Sequence, residues 1–166
     1  MSTTHTCPVC GFTGLDEPAR SRSGGGSYEI CLSCDFQFGV TDEDRDFSEA
    51  AWRWLWIARG KPWSSTPDGP PPQDWDPDRQ LEAIGGAGPL PDRRFSPGQR
   101  VALTRGWERW GLVAHAEGTV EQVHEAAPVY EVRMDGQRRH PLTLAHEDLE
   151  VPANERPGQD PSTDPL

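Results

Sequence analysis

The residues of this chain best suited to chemistry are four cysteines in two pairs. Cys7 and Cys10 form one C-x2-C pair and Cys31 and Cys34 form another, with 20 residues between the pairs. Two residues between thiolates allow one tight turn to present both sulfurs to one ion, and zinc takes four thiolates in closed, tetrahedral structural sites. The pattern therefore predicts one structural Zn²⁺ held by all four cysteines.

The same spacing leaves other uses of the sulfurs open, namely a rubredoxin-like iron site, a redox dithiol or thiols without metal. Four thiolates leave no free coordination position, which argues against a catalytic zinc. Gly11 and Asp35 directly follow the two pairs, and both residue types tolerate the positive φ of such turns. Because a comparable site supplies on the order of 10 kcal/mol, we expect residues 5–40 to require metal for folding.

A second group of residues offers candidate contacts to a partner. Trp107, Arg109 and Trp110 lie together, and Arg138 and Arg139 follow a turn signal at Asp135-Gly136. These side chains suit stacking on bases or on a Pro-rich peptide, or contact with phosphate. The simpler interpretations are tryptophans that cover the end of a barrel and a solvated hairpin tip.

Catalytic signatures are missing from the sequence. It contains no G-x-S-x-G, no H-E-x-x-H and no P-loop. All four cysteines are needed for the metal, which leaves none as a nucleophile. The sequence therefore predicts a protein that is not an enzyme.

One helix is predicted directly after the cysteines, over residues 42–59. Thr41 to Asp44 include a candidate cap, and the acidic residues Asp42, Glu43 and Asp44 suit the positive end of the helix dipole. One apolar face follows a helical period and comprises Phe47, Ala51, Trp54, Leu55 and Ala58. Gly60 is a stop signal.

The remaining elements are short. Residues 28–30 and 36–38 alternate like strands around the second cysteine pair, and residues 78–84 suit one short helical turn. Residues 61–92 are rich in proline but include Trp63 and Trp75, so we expect part of this segment to lie along a folded surface. Five β-like runs in residues 93–151, separated by turn signals, favour a small barrel because closure removes exposed edges.

The motif CPVCGF occupies residues 7–12, followed by SYEICLSCDFQFG at 27–39, KPW at 61–63 and PPP at 70–72. Over residues 7–82 the chain resembles a group of small uncharacterised bacterial proteins with a cysteine-rich, CPCC-type zinc ribbon. The second pair here encloses Leu-Ser, where many relatives have proline. The resemblance implies a zinc ribbon in a bacterial protein and brings no known activity.

A weaker resemblance covers residues 95–151. Phe95, Pro97-Gly98, Val101, the run GTV at 118–120 and the run EDL at 147–149 are similar to SH3-like barrels of the KOW or translation-protein type. The expected fold class is thus a small metal-stabilised α+β protein. Residues 1–60 form the zinc ribbon and helix, 61–92 the connecting segment, 93–151 the SH3-like barrel and 152–166 a disordered tail.

Composition narrows the function further. The chain of 166 residues carries a formal net charge of −11 and only 34% hydrophobic residues. The sequence has no stripe of Lys and Arg that could neutralise many phosphates. Nucleic acid is therefore a possible partner that the net charge does not favour. No apolar run is long enough for a membrane, no signal peptide is visible, and reduced thiols fit the cytoplasm. We expect a cytoplasmic protein that binds another, unidentified protein as an interaction or adaptor module. The alternatives are a ribosome- or transcription-associated factor and rubredoxin-like electron transfer.

Overall fold

In this computed structural model, which describes residues 4–157, two α-helices precede a sheet of five strands. The helices are α1 (Glu49–Ala58) and α2 (Pro77–Ala83). The strands are β1 (Arg100–Leu103), β2 (Glu117–Val123), β3 (Val129–Met134), β4 (Leu142–Ala145) and β5 (Leu149–Glu150). The architecture is a small α+β fold.

The sheet is antiparallel throughout and curls into a half-barrel, with strand order β4-β3-β2-β1-β5. A register shift between Val120 and Gln122 marks an irregularity in β2 of the kind that bends a strand. Its concave side encloses a core that includes Val101, Tyr130 and Leu144. The prediction of five short strands in residues 93–151 is confirmed; the SH3-like assignment stays a prediction.

Both ends of the chain lie partly outside the described residues. Of the predicted disordered tail, residues 152–157 are described, and Ala153–Glu155 form a short 3₁₀ turn. Residues 158–166, to which the rest of that prediction applies, are outside the described range, as are residues 1–3.

The helix after the cysteines begins later than the sequence suggests. Ser48 is its N-cap, with the hydroxyl accepting a hydrogen bond from the Ala51 N–H at 3.0 Å, so the predicted start near residue 42 is wrong. Asp42 is buried, and its carboxylate accepts hydrogen bonds from the backbone N–H groups of Gly39 and Glu43 at 2.7 and 3.1 Å. Such local side-chain bonds compete with helix formation, which explains why residues 42–44 form turns.

Helix α1 packs against both halves of the protein. Trp56 is buried among the cysteines and Phe36, whereas Ala51 and Trp54 pack with Val129 of the sheet. The predicted apolar face is therefore correct in part: Ala51 and Trp54 are buried, but Ala58 is exposed.

The edge of β4 is paired with the segment that leads into α1. Phe47 forms a parallel bridge to Thr143. The Ser48 N–H donates to the Thr143 carbonyl, and the Thr143 N–H donates to the Asp46 carbonyl, both at 2.9 Å. An open strand edge is a site for unwanted pairing, and here the chain covers it with its own backbone.

The proline-rich segment packs on the cysteine-containing part, as expected from its tryptophans. The rings of Phe12 and Trp63 meet edge to face at 5.5 Å between centroids, and Trp63 meets Trp75 in the same way at 5.4 Å. Around the cysteines, however, the predicted strands are reduced to isolated bridges such as Ile30 with Gln37.

Candidate metal centre

Each cysteine pair closes a turn of the same geometry. In the first, the Gly11 N–H donates to the Cys7 carbonyl at 2.9 Å; in the second, the Asp35 N–H donates to the Cys31 carbonyl at 2.8 Å. Gly11 has φ +85° and Asp35 has φ +66°, which confirms the positive φ expected at both positions. The two turns can therefore present two sulfurs each to a common centre.

The four sulfurs converge. All four Sγ atoms lie within 4.8 Å of one another, with 3.9 Å between Cys7 and Cys34 and 3.6 Å between Cys10 and Cys31. Four ligands about 2.3 Å from a tetrahedral ion are separated by about 3.8 Å, so this arrangement fits one metal ion. The cysteines are free thiols with no disulfide, and each has no exposed surface.

Burial disfavours the charged thiolate form of these cysteines. Hydrogen bonds from the neighbouring thiols, first from Cys31, lower the pKa of Cys10, whereas burial is the largest cause that raises the pKa of Cys34. Without a cation, one thiolate is stabilised by thiols that keep their protons. A divalent cation removes the repulsion among four thiolates, so we expect its binding to release protons.

Helix α1 supports both turns through polar side chains. The indole N–H of Trp52 donates to the Cys34 carbonyl at 2.8 Å. The guanidinium of Arg53 donates to the carbonyls of Val9 at 2.6 Å and Pro8 at 2.9 Å. Neither residue was predicted from the sequence to belong to the site, although their position beside the predicted apolar face of the helix was the available signal.

Helix α2 and the proline-rich segment enclose the second turn from another side. The side-chain amide of Gln80 donates to the Ser33 hydroxyl at 2.9 Å, and the Ser64 hydroxyl donates to the Ser33 carbonyl at 3.1 Å. A Cβ atom at Gly11 would lie 1.9 Å from the Gln80 carbonyl oxygen, so α2 also rests directly on the first turn. All four sulfurs are therefore enclosed by the part of the chain that the structure describes.

Trp107 and Trp110, which were predicted as partner contacts, lie inside the barrel core. They are 5% and 3% exposed, and their rings stack at 4.8 Å. The indole N–H of Trp110 donates to the Asp42 carbonyl at 3.1 Å. This burial favours the simpler interpretation, tryptophans that cover the barrel, and neither ring offers an exposed stacking surface.

Arg109 is also turned inward. Its guanidinium lies over the rings of Trp107 and Trp110 and 3.4 Å from the buried carboxylate of Asp42, which also pairs with Arg20. Burial lowers the pKa of Arg109, while the Asp42 charge raises it. Arg109 thus joins the barrel to the cysteine-containing part.

The remaining predicted arginines do not merge into a free basic face. Arg139 lies 3.2 Å from Asp46, and the nearby Arg133 pairs with Glu121. Arg138 is exposed at the hairpin tip. Since most of these guanidiniums are near carboxylates, the geometry adds no support for phosphate binding.

No protein-family model, curated protein or solved structure matches this chain. The resemblances to the CPCC-type zinc ribbon and to SH3-like barrels therefore stay predictions. Within residues 4–157, neither α-helix has the length and apolar character needed to cross a membrane. What is established is a curled half-barrel sheet joined to a buried cluster of four cysteines.

Proposed function

We propose that Cys7, Cys10, Cys31 and Cys34 hold one Zn²⁺ with a structural role. The observation that supports this best is the buried set of four sulfurs at tetrahedral spacing, carried by two turns of equal geometry. The bound ion supplies positive charge and a cross-link between the two turns. In a zinc ribbon of this kind, the metal replaces the large apolar core that so short a segment lacks.

Metal analysis tests the assignment. We expect about one zinc per chain and no visible absorption, because Zn²⁺ has a filled d shell. Iron with a visible absorption band would instead favour the rubredoxin-like alternative. Cys10→Ser should lose the metal and unfold residues 5–40, whereas Ser21→Ala in the exposed loop should change neither property.

We further propose that the protein is a non-enzymatic adaptor that recognises another protein in the cytoplasm. Three observations support this: the ligand set is closed, the net charge is −11, and most of the candidate arginines are near carboxylates. A closed metal site favours a structural over a catalytic role, and the acidic surface disfavours nucleic acid.

Affinity capture with the metal-loaded full chain, performed with and without nuclease, tests the adaptor function. Direct binding of a captured protein is then measured with both proteins purified. A partner that binds after nuclease treatment supports the proposal. Partners that vanish on nuclease treatment would replace it with the nucleic-acid- or ribosome-associated alternative.

A further inference from the structure

Two large apolar side chains are exposed on the segment that leads into the second cysteine pair. Tyr28 is 65% exposed and Ile30 is 47% exposed. The other large exposed apolar residues in the described chain, Leu90 and Val113, lie in the connecting segment and on the barrel, far from these two in sequence. Tyr28 and Ile30 both belong to the cysteine-containing part and stand two positions apart in the chain.

The backbone holds Tyr28 in place. Its φ is +66°, a conformation that costs a bulky residue energy, and its N–H donates to the Phe38 carbonyl at 2.9 Å. The ring lies on a surface of glycine backbone: a Cβ at Gly39 would be 3.3 Å from the Tyr28 ring, and a Cβ at Gly26 would be 2.3 Å from the Gly39 nitrogen. An aromatic ring fixed before binding loses little entropy when a partner covers it.

Three acidic residues lie near this pair. Glu29 stands between Tyr28 and Ile30 in the chain, and its carboxylate accepts hydrogen bonds from the backbone N–H groups of Asp16 at 2.7 Å and Glu17 at 2.9 Å, which holds these three acidic residues close to one another. Asp16 and Glu17 are exposed. Of the two nearby arginines, Arg20 is paired with Asp42 and Glu49, and Arg22 lies in the exposed loop.

We propose that Tyr28 and Ile30 are the centre of a docking site for a basic protein segment that carries a large apolar side chain. This inference rests on the proposed adaptor function and names the class of its partner. Tyrosine is enriched among residues that dominate binding energy, and a rim of carboxylates selects Lys and Arg on the partner. An acidic or uncharged segment lacks that attraction.

The test uses a phage-displayed library of random 12-residue peptides, selected against the metal-loaded full chain. We expect enriched peptides to combine Lys or Arg with one aromatic or large aliphatic residue. Tyr28→Ala should weaken the enriched peptides about tenfold or more, and Ile30→Ser should weaken them too, whereas Val113→Ala, an exposed apolar control on the barrel, should change affinity less than about twofold. Raising the salt concentration should weaken binding further, because the charged rim is exposed.

Metal content and circular dichroism identify any variant that fails to fold, and Ile30→Ser carries the test if Tyr28→Ala is unstable. Acidic or uncharged peptides, no enrichment, or affinities that ignore both substitutions overturn the docking site. Peptides that depend on Val113 instead of Tyr28 also overturn it, but they leave the adaptor function standing. Failure of affinity capture to yield any direct protein partner contradicts the adaptor function itself.

Discussion

At the scale of single residues, Gly11 meets two requirements at once. It adopts φ +85° in the first cysteine turn, and its missing Cβ leaves room for the Gln80 carbonyl. Gly24, in the exposed loop, has nearly the same φ of +89°, but a Cβ added there would have no other atom within 4 Å. A side chain at position 24 would therefore add backbone strain alone, whereas one at position 11 would add backbone strain and a steric clash.

Gly11→Ala is expected to destabilise the protein more than Gly24→Ala. Both changes add the strain of an L-residue at positive φ, about 1–2 kcal/mol, but only Gly11→Ala also forces α2 away from the first turn. Urea denaturation of the metal-loaded variants, followed by circular dichroism, measures the difference. Equal losses would show that α2 does not rest on the turn.

Asp148 is a buried carboxylate at the contact between the two halves. Its Oδ2 accepts hydrogen bonds from the Ser48 hydroxyl at 2.5 Å and from the Ala145 N–H at 2.9 Å. Burial raises its pKa above the ordinary 3.8, and the two hydrogen bonds offset only part of that effect. The ionised form is therefore less favourable in the folded than in the unfolded chain.

Asp148→Asn is expected to gain stability relative to the unmodified protein as pH rises. From pH 3.8 upward the unfolded chain ionises Asp148 before the folded chain does, so the unmodified protein loses stability until the pH exceeds the raised pKa. One amide oxygen can accept both hydrogen bonds. The free energy of unfolding is measured for both proteins between about pH 4 and about pH 8. Any effect of metal release that the two proteins share cancels in the difference between their free energies of unfolding.

Asp92→Asn removes one exposed carboxylate and controls for the change in net charge. A difference between the Asp148→Asn and unmodified proteins that falls with rising pH would contradict the direction of the shift.

At the scale of elements, α1 is the central connection of the molecule. Its N-cap Ser48 accepts a hydrogen bond from the helix and donates one to Asp148 beside the sheet. Its side chains Trp52 and Arg53 donate to the cysteine turns. The indole of Trp54 donates to Glu147 at 3.0 Å. Three consecutive residues of α1 therefore form hydrogen bonds to the two different halves of the protein.

Ser48→Ala is expected to cost more stability than the loss of an ordinary cap. The cap itself contributes about 1 kcal/mol, and the change also leaves the buried Asp148 carboxylate without its hydroxyl donor, which adds about 1–3 kcal/mol. Asp76→Ala is the matched control, because Asp76 caps α2 at an exposed position through the N–H groups of Asp78 and Arg79. Thermal or urea unfolding compares the two, and equal costs would contradict a connecting role for Ser48.

At the scale of the whole molecule, the cysteine-containing part and the barrel share a polar interface. Asp42 pairs with Arg20 on one side and Arg109 on the other, and its carbonyl accepts from Trp110. The same part supplies the backbone that covers the β4 edge at Thr143. Order around the metal is therefore expected to extend into the sheet.

Removal of the metal with a chelator is expected to accelerate amide hydrogen exchange at Thr143 by about tenfold or more, because its partner, the Asp46 carbonyl, belongs to a segment that the metal site anchors. Exchange measured residue by residue by NMR gives the rate with and without metal. The same chelator added to Cys10→Ser is the control and should change nothing further. Unchanged protection of Thr143 would show that the barrel does not depend on the metal.

Much of this arrangement is local in sequence and was predictable. The two C-x2-C spacings predict the cluster of four sulfurs, Gly11 and Asp35 follow from the turns, and the alternation in residues 93–151 predicts the strands. Trp63 and Trp75 correctly indicated that the proline-rich segment lies on a folded surface. For the turns and the strands, the signal and the structure that it specifies lie within a few residues of each other.

The buried pair Trp107 and Trp110 and the pairing of Asp42 with the barrel follow from contacts between distant residues. The hydrogen bonds of Arg109 and Trp110 to Asp42 span 67 and 68 positions, and that of Ser48 to Asp148 spans 100. The clustered sulfurs and the short strands could be predicted from the sequence, because turn geometry and side-chain alternation act over a few residues. Which tryptophans and charges are buried could not be predicted in this way, because burial depends on which distant segments come together in the folded chain.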